Sequence, residues 1–232
     1  MNAAVFTNTI TIPKIKHPNP RNRKCKIDKN SLPFCHSVSI VLNPINLSLE
    51  EEIPPNALRR KLDSSWRGGF SLGVDLGFTR TGLALSKGFS IRPLSVLELR
   101  GQKLELQLID IAQRQEVDEF IIGLPKSSDG KETPQSNKVR SVAGRLAIRA
   151  AERGWRVYLQ DEYGTSTEAM DHMIDMGLSK SARRGRIDAY AAMMVLERYF
   201  SVAGKEVELV LPKHLDLQAK LRNALAQDAD FL

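Results

Sequence analysis

Leu72-Gly73-Val74-Asp75-Leu76-Gly77 reads as an apolar strand with one carboxylate set between glycines. A charge buried in a strand without a partner costs several kcal/mol. Glycine weakens a strand interior and marks a place where something comes close to the backbone. Strand side chains alternate, so Gly73, Asp75 and Gly77 share one face and leave bare surface around the acid. That arrangement suits a carboxylate that holds a metal ion beside a bulky phosphate. A strand end at which Asp75 merely starts a turn is the simpler alternative, and the rest of the chain has to decide.

Working outward, Phe70–Leu76 and Arg80–Ser86 are separated by Gly77-Phe78-Thr79, a hairpin-length connection that predicts antiparallel pairing. Arg92–Leu99 is the expected third strand. Leu104, Leu108, Ile111 and Ala112 then follow helical spacing. Asp118–Leu124 reads as a buried strand stopped by Pro125. Thr133 is a candidate N-cap with Pro134 at the first helical position. The helix that follows carries Val139, Val142, Ala143, Leu146, Ala147 and Ala150, and Gly154 closes it. Trp155–Gln160 is the next strand, Thr165–Met176 the next helix, and a last core helix begins at about Ile187. Three antiparallel strands followed by β-α-β units predict an α/β fold, a mixed sheet with helices on both faces. Ligands of such sheets gather at the carboxyl ends of the central strands.

Charge is unevenly placed. The 232 residues carry a net +7, yet residues 1–49 hold seven Lys/Arg against one acid. Residues 50–232 are close to neutral, with 27 basic and 26 acidic residues, so nucleic-acid affinity must come from local patches. Residues 1–49 are acid-poor and rich in Ser/Thr, Asn and Pro, the character of an organelle transit peptide. Scarce arginine and no amphipathic helix favour a chloroplast (stromal) destination over the mitochondrion; an RNA-binding basic tail is the alternative. Cys25 and Cys35 both lie in this segment, so the processed protein is expected to have no disulfide, thiol nucleophile or cysteine zinc site. No apolar run approaches the ~20 residues that span a membrane. The expected division is a transit peptide at 1–49, a linker at 50–69, one domain at 70–201 and a C-terminal extension at 202–232.

The candidate catalytic acids are Asp75, the adjacent Asp161 and Glu162 after the last strand, and Asp188 at the expected start of the final helix. Alternation puts Asp161 and Glu162 on opposite faces, and the sequence does not say which meets Asp75; Glu162 is preferred. Asp75, Glu162 and Asp188 are thus the expected ligands of Mg²⁺ or Mn²⁺, hard cations that also bind phosphate oxygens. Asp188 at a helix N-terminus is equally explained by the helix dipole. Thr165 and Ser166 are candidates for phosphate contact or for helix capping. Lys180-Ser181-Ala182-Arg183-Arg184-Gly185-Arg186 reads as a phosphate-gripping loop through Lys180, Arg183, Arg184 and Arg186, with a solvated surface loop as the alternative. His172 and His214 receive no role.

Together these residues resemble the YqgF (RuvX) family of pre-16S rRNA nucleases and Holliday-junction-resolvase-like proteins of the RNase H superfamily. Four blocks carry the resemblance in order: Leu72–Gly77 with Arg80–Ser86; Ile122-Gly123-Leu124-Pro125 with Asp129-Gly130 and Gln135-Ser136; Asp161-Glu162 with Thr165-Ser166 and Ala169; and Ile187-Asp188-Ala189-Tyr190-Ala191-Ala192. The resemblance spans about Phe70 to Ser201. It implies an RNase H-like fold and divalent-metal phosphodiester hydrolysis of precursor rRNA or branched DNA, with Asp75, the Asp161/Glu162 pair and Asp188 as catalytic acids. Arg80 is a further candidate for contact with the nucleic acid. The chain departs from the family pattern at Tyr163 (an arginine), Ser166 (a threonine) and Lys87 (an acid). Two other readings compete. Asp75-Leu76-Gly77-Phe78-Thr79 fits the phosphate loop of actin-like phosphotransferases, which need two such domains where this chain has length for one. A nucleic-acid-binding or ribosome-associated module that keeps the scaffold without cleavage is the second.

Overall fold

The computed structural model describes residues 53–66, 68–88 and 90–229, all within the compact unit Ile45–Leu232. The expected transit peptide at 1–49 lies outside the described residues. In chain order the elements are α1 (Asn56–Leu62), β1 (Ser71–Leu76), β2 (Thr81–Lys87), β3 (Ser90–Leu97), α2 (Gly101–Arg114), β4 (Glu119–Leu124), α3 (Pro134–Ala151), β5 (Arg156–Asp161), α4 (Thr165–Asp175), α5 (Lys180–Ser201), β6 (Glu208–Leu209) and α6 (Leu215–Ala229). The six strands form one sheet in the order β3-β2-β1-β4-β5-β6. β1, β2 and β3 pair antiparallel, while β1, β4 and β5 run parallel.

The sheet is covered on both faces, as the strand patterns require. Leu72, Val74 and Leu76 of β1 join Phe120, Ile122, Val157 and Leu159 in the core beneath α2 and α3. The opposite parity faces α5, where Ala84, Ile121 and Tyr158 meet Ala192, Val195, Leu196 and Tyr199. Every residue of β4 is buried, the expected state of a central parallel strand with helices on both sides. This is the RNase H-like mixed α/β sheet.

Three sequence expectations need correction. The stretch read as a linker is part of the folded unit from Ile53 onward. Ile53, Asn56 and Ala57 are buried, the Ala57 N–H donates to Tyr199 Oη, and Tyr158 Oη donates to the Ile53 carbonyl. The basic run 180–186 is no loop: it forms the first two turns of α5, which starts seven residues earlier than the apolar spacing indicated. Ser179 sets that start, its hydroxyl accepting the Ala182 N–H, and the Arg183 guanidinium donates to the Leu178 carbonyl. Asp188 therefore sits in the third turn of a helix, beyond the reach of the N-terminal dipole.

The C-terminal segment also adds to the core. β6 extends the sheet against β5, and Leu209, Leu217 and Leu221 are buried. No helix among the described residues is long and apolar enough to cross a membrane.

Candidate active site

The site is built on a row of three residues across β2, β1 and β4. Asp75 pairs with Gly82 on one side. On the other, the β1–β4 register runs through Val74 and Ile122, which carries Asp75 alongside Gly123. Alternation turns this row toward α5. A bare glycine thus flanks the carboxylate on each neighbouring strand.

Each glycine clears space for another acid. A Cβ on Gly82 would lie 1.8 Å from the Asp188 backbone oxygen, so α5 rests directly on β2 at that point. A Cβ on Gly73 would lie 2.7 Å from the Ala192 oxygen, one turn further along the same contact. A Cβ on Gly123 would lie 1.9 Å from Glu162 Oε2. The row thus brings Asp188 over β2 and Glu162 over β4, with Asp75 between them. Gly123 was expected from sequence either to line the site or only to turn the chain, and Gly82 was not read as part of the site, although a glycine inside a strand is the signal of such close approach.

The strand parity that left Asp161 and Glu162 open is resolved. Asp161 continues the Val157, Leu159 side, away from Asp75, and pairs with Lys126 at 3.3 Å while accepting the Tyr163 N–H at 2.8 Å. Glu162, beyond the last residue of β5, turns to the Asp75 side; its own N–H donates to the Leu124 carbonyl.

The electrostatics reflect this crowding. Burial, then the Asp75 charge, then the Asp161 charge push the Glu162 carboxyl up to about 8. Burial, then Asp188, push Asp75 up to about 6. Glu162 Oε2 and Asp188 Oδ2 are buried and accept no hydrogen bond. Asp188 Oδ2 lies 2.9 Å from Arg80 Nε, an ion pair off the N–H direction. Among the described residues no three His, Cys, Asp or Glu side chains stand close enough to hold a metal ion without rearrangement. The acids converge on Asp75, but Arg80 holds one of them. Buried carboxylate oxygens left without partners are rare in folded proteins and call for a reason. An all-oxygen donor set fits a hard divalent cation.

The other expected contacts divide. Arg80 reaches the acids. Lys180, Arg184 and Asp188 follow at intervals of four along α5 and so share a helix face, whereas Arg183 is tied to Leu178 and Arg186 lies beside Pro93–Val96 of β3. The run is therefore not one gripping surface. Thr165 is buried and spends both its N–H and its hydroxyl on the Glu162 carbonyl; it shapes the acid loop and has no hydroxyl to offer phosphate. Ser166 is exposed in the first turn of α4. Lys87 stands at the far end of β2, where it pairs with Glu116 and covers the Phe70 ring, remote from Asp75. Arg198, missed in the sequence, donates to the Asp161 and Tyr163 carbonyls and to Glu168, so α5 clamps the acid loop beside Tyr163. Ser136 joins the capping box of α3 to the Pro125 carbonyl, which fixes the turn after Gly123.

An RNase H-like sheet with acids drawn onto its central strand defines the class. The family model described as RuvX, Holliday junction resolvase, matches residues 69–202, and the chain belongs to that family. A protein of Anaeromyxobacter dehalogenans (strain 2CP-C) described as "Putative pre-16S rRNA nuclease" is 36% identical over 130 residues, 55% of this chain and 93% of that relative. A relative of the same description from Anaeromyxobacter sp. (strain Fw109-5) is 39% identical over 129 residues, 54% of this chain and 92% of its own. The solved T. thermophilus RuvC in complex with Holliday junction substrate covers 61% of this chain and 99% of its own, with 17% identity and a TM-score of 0.41.

Proposed function

We propose that the chain is a divalent-metal-dependent endonuclease acting on structured nucleic acid, with precursor 16S rRNA as its first substrate class. The observation that carries this reading is the glycine-flanked row, which gathers Asp188 and Glu162 about Asp75, with Glu162 Oε2 buried without a partner and Asp188 Oδ2 met only by the Arg80 cation. The description of the chain's relatives supports the same substrate class, while the family model's description supports a nuclease acting on branched DNA.

Asp75, Glu162 and Asp188 would hold Mg²⁺ or Mn²⁺. Such ions activate water and stabilise the leaving oxygen of a phosphodiester. The chain's own part is positional. Asp75 is fixed by a strand paired on both sides, Glu162 by the Thr165 and Leu124 bonds, and Asp188 by the pressure of α5 on Gly82. Arg80 neutralises Asp188 in the free protein, and its guanidinium can transfer donors to a phosphate oxygen. Lys180 and Arg184 continue that cationic approach along α5. Branched DNA, handled by the same chemistry, is the second substrate class.

A specific observation favours a second reading, a nucleic-acid-binding module without cleavage: the acids are not drawn into ion-holding distance in this arrangement. The two readings part in one assay. Full-length wild type and Asp75→Asn are incubated with precursor 16S rRNA and a four-way DNA junction in Mg²⁺ or Mn²⁺. Cleavage by the wild type alone supports the nuclease; RNA binding without cleavage under either ion supports the binding module. Family membership argues against the phosphotransferase reading.

The acid-poor segment 1–49 supports import into the chloroplast stroma. A fluorescent protein fused behind residues 1–60 should collect in plastids; accumulation in mitochondria or the cytosol would refute this destination.

A further inference from the structure

On the opposite face of β1 from the acids, a slot of about 280 Å³ opens between the β1–β2 hairpin and the first turns of α2 and α3. Its floor is apolar: Leu76, Leu104 and Val139 are buried core residues. Its lip is Phe78, an aromatic ring left 70% exposed at the hairpin tip, with Lys138 Nζ 4.6 Å from the ring centroid. Gln135 adds polarity at one wall. Its Nε2 donates to the Leu76 carbonyl at 2.8 Å, which fixes the amide and leaves Oε1 buried without a donor. Arg100 also lines the slot. Among the described residues neither Arg100 nor Lys138 has a carboxylate partner.

We propose that this slot receives a single unstacked base of the nucleic-acid strand whose backbone lies at the acids, a reading that rests on the nuclease assignment. Four features select that occupant. A cleft with an apolar floor and an exposed aromatic lip matches the face of a base. The unpartnered Gln135 oxygen matches an amino or imino donor on the base edge. Arg100 and Lys138, two lining cations with no carboxylate partner among the described residues, match the flanking phosphates. Leu76 on the slot's floor directly follows Asp75, so the slot opens at the same carboxyl end of β1 as the acids, and a strand passing over that end from one face of the sheet to the other meets both. A paired base cannot enter. The slot thus directs the enzyme toward single-stranded or branch-point segments within a structured molecule. RNA and DNA bases share this chemistry, and the test separates them.

The full chain, in EDTA to prevent cleavage, is titrated by fluorescence anisotropy against labelled single-stranded RNA, single-stranded DNA of the same sequence, and a blunt RNA duplex. Loss of one aromatic–base stack of about 1–3 kcal/mol corresponds to a roughly 5- to 150-fold weaker complex. Phe78→Ala should weaken single-strand binding within that range and leave duplex binding unchanged. Phe78→Trp should restore it, and Gln135→Leu should give a smaller loss. Phe78 is exposed, so folding is unaffected, which thermal melting checks. A larger loss on RNA than on DNA names RNA as the preferred strand, and the reverse names DNA. Single-strand binding unchanged in Phe78→Ala, an equal loss on duplex, or no strand binding by the wild type overturns the slot. Mg²⁺-dependent cleavage by the wild type, measured separately, then tells whether only the slot or also the nuclease assignment has failed.

Discussion

The two edges of the sheet both bury acidic side chains, and they treat them in opposite ways. At the amino edge, Glu119 is fully buried and fully engaged: it accepts from Ser71 Oγ, Tyr199 Oη and the Asn56 N–H. Arg156, itself buried, pairs with Asp118 and donates to Asn56 Oδ1, and its charge opposes the burial that pushes Glu119 upward. At the carboxyl edge, Asp75 and Glu162 are pushed up by burial and by each other's neighbours, and Glu162 Oε2 has no partner. The carboxylate of Glu119 is satisfied, although Arg156 Nε and Nη1 beside it are buried without a hydrogen-bond partner, and this cluster holds α1, β1, β4, β5 and α5 together. The buried Glu162 oxygen has no such partner, and the proposed cation would supply one. Perturbed acids in a crowded pocket mark functional sites for this reason.

The contrast is open to direct attack. The largest effect is expected at the amino edge. Glu119→Ala leaves three donors without their acceptor and removes a negative charge beside the buried Arg156, which should cost about 3–5 kcal/mol, read as a lowered denaturation midpoint, with cleavage retained by whatever remains folded. Asp75→Asn should do the reverse. Cleavage should fall about 100-fold or more, since metal-site stabilisation is worth several kcal/mol and each 1.36 kcal/mol is tenfold. Its melting temperature should hold or rise. If Asp75→Asn destabilises as Glu119→Ala does, the two edges are alike and the contrast fails.

The glycines sharpen the comparison within the site. At Gly82 an added Cβ meets helix backbone, so Gly82→Ala should cost about 1–3 kcal/mol. At Gly123 the obstacle is the end of the Glu162 side chain, which can swing away. Gly123→Ala should therefore keep its stability within about 1 kcal/mol and lose cleavage, because the carboxylate is displaced.

The smallest effect is in pH dependence. The Glu162 carboxyl moves from its ordinary 4.5 up to about 8 in the folded, ion-free chain, mainly through burial. Between those values the folded state binds more protons than the unfolded one, so stability falls as pH rises. The contribution is fully present below about 4.5 and lost as pH passes about 8; Asp75 adds the same sign between 3.8 and about 6. In EDTA, Glu162→Gln should lose less melting temperature than the wild type between pH 5 and 8.5, a gap of a few degrees. Parallel profiles would mean that Glu162 is not held under strain.

Much of this was legible before folding. The parity of Leu72, Val74 and Leu76, and the continuous apolar run Phe120–Leu124, dictate a two-faced sheet. An aspartate in such a strand marks its functional end. What escaped depends on contacts between distant segments. The start of α5 is set by a serine cap, and its first two turns carry cations where apolar periodicity is silent. Asn56 and Ile53 looked like linker because their partners, Asp118, Glu119 and Tyr158, lie some 60 to 100 residues away in the chain. The choice between Asp161 and Glu162 needed the face of Asp75, which only the β1–β4 pairing supplies.

The central claim is that the three acids of the carboxyl edge form a divalent-cation site. Mn²⁺ titration of the full-length chain by electron paramagnetic resonance tests it without any nucleic acid. Wild type should take up Mn²⁺, and both Asp75→Asn and Glu162→Gln should weaken that uptake at least tenfold while Glu119→Gln leaves it unchanged. Equal Mn²⁺ affinity in all four proteins, or none in the wild type, would contradict the account.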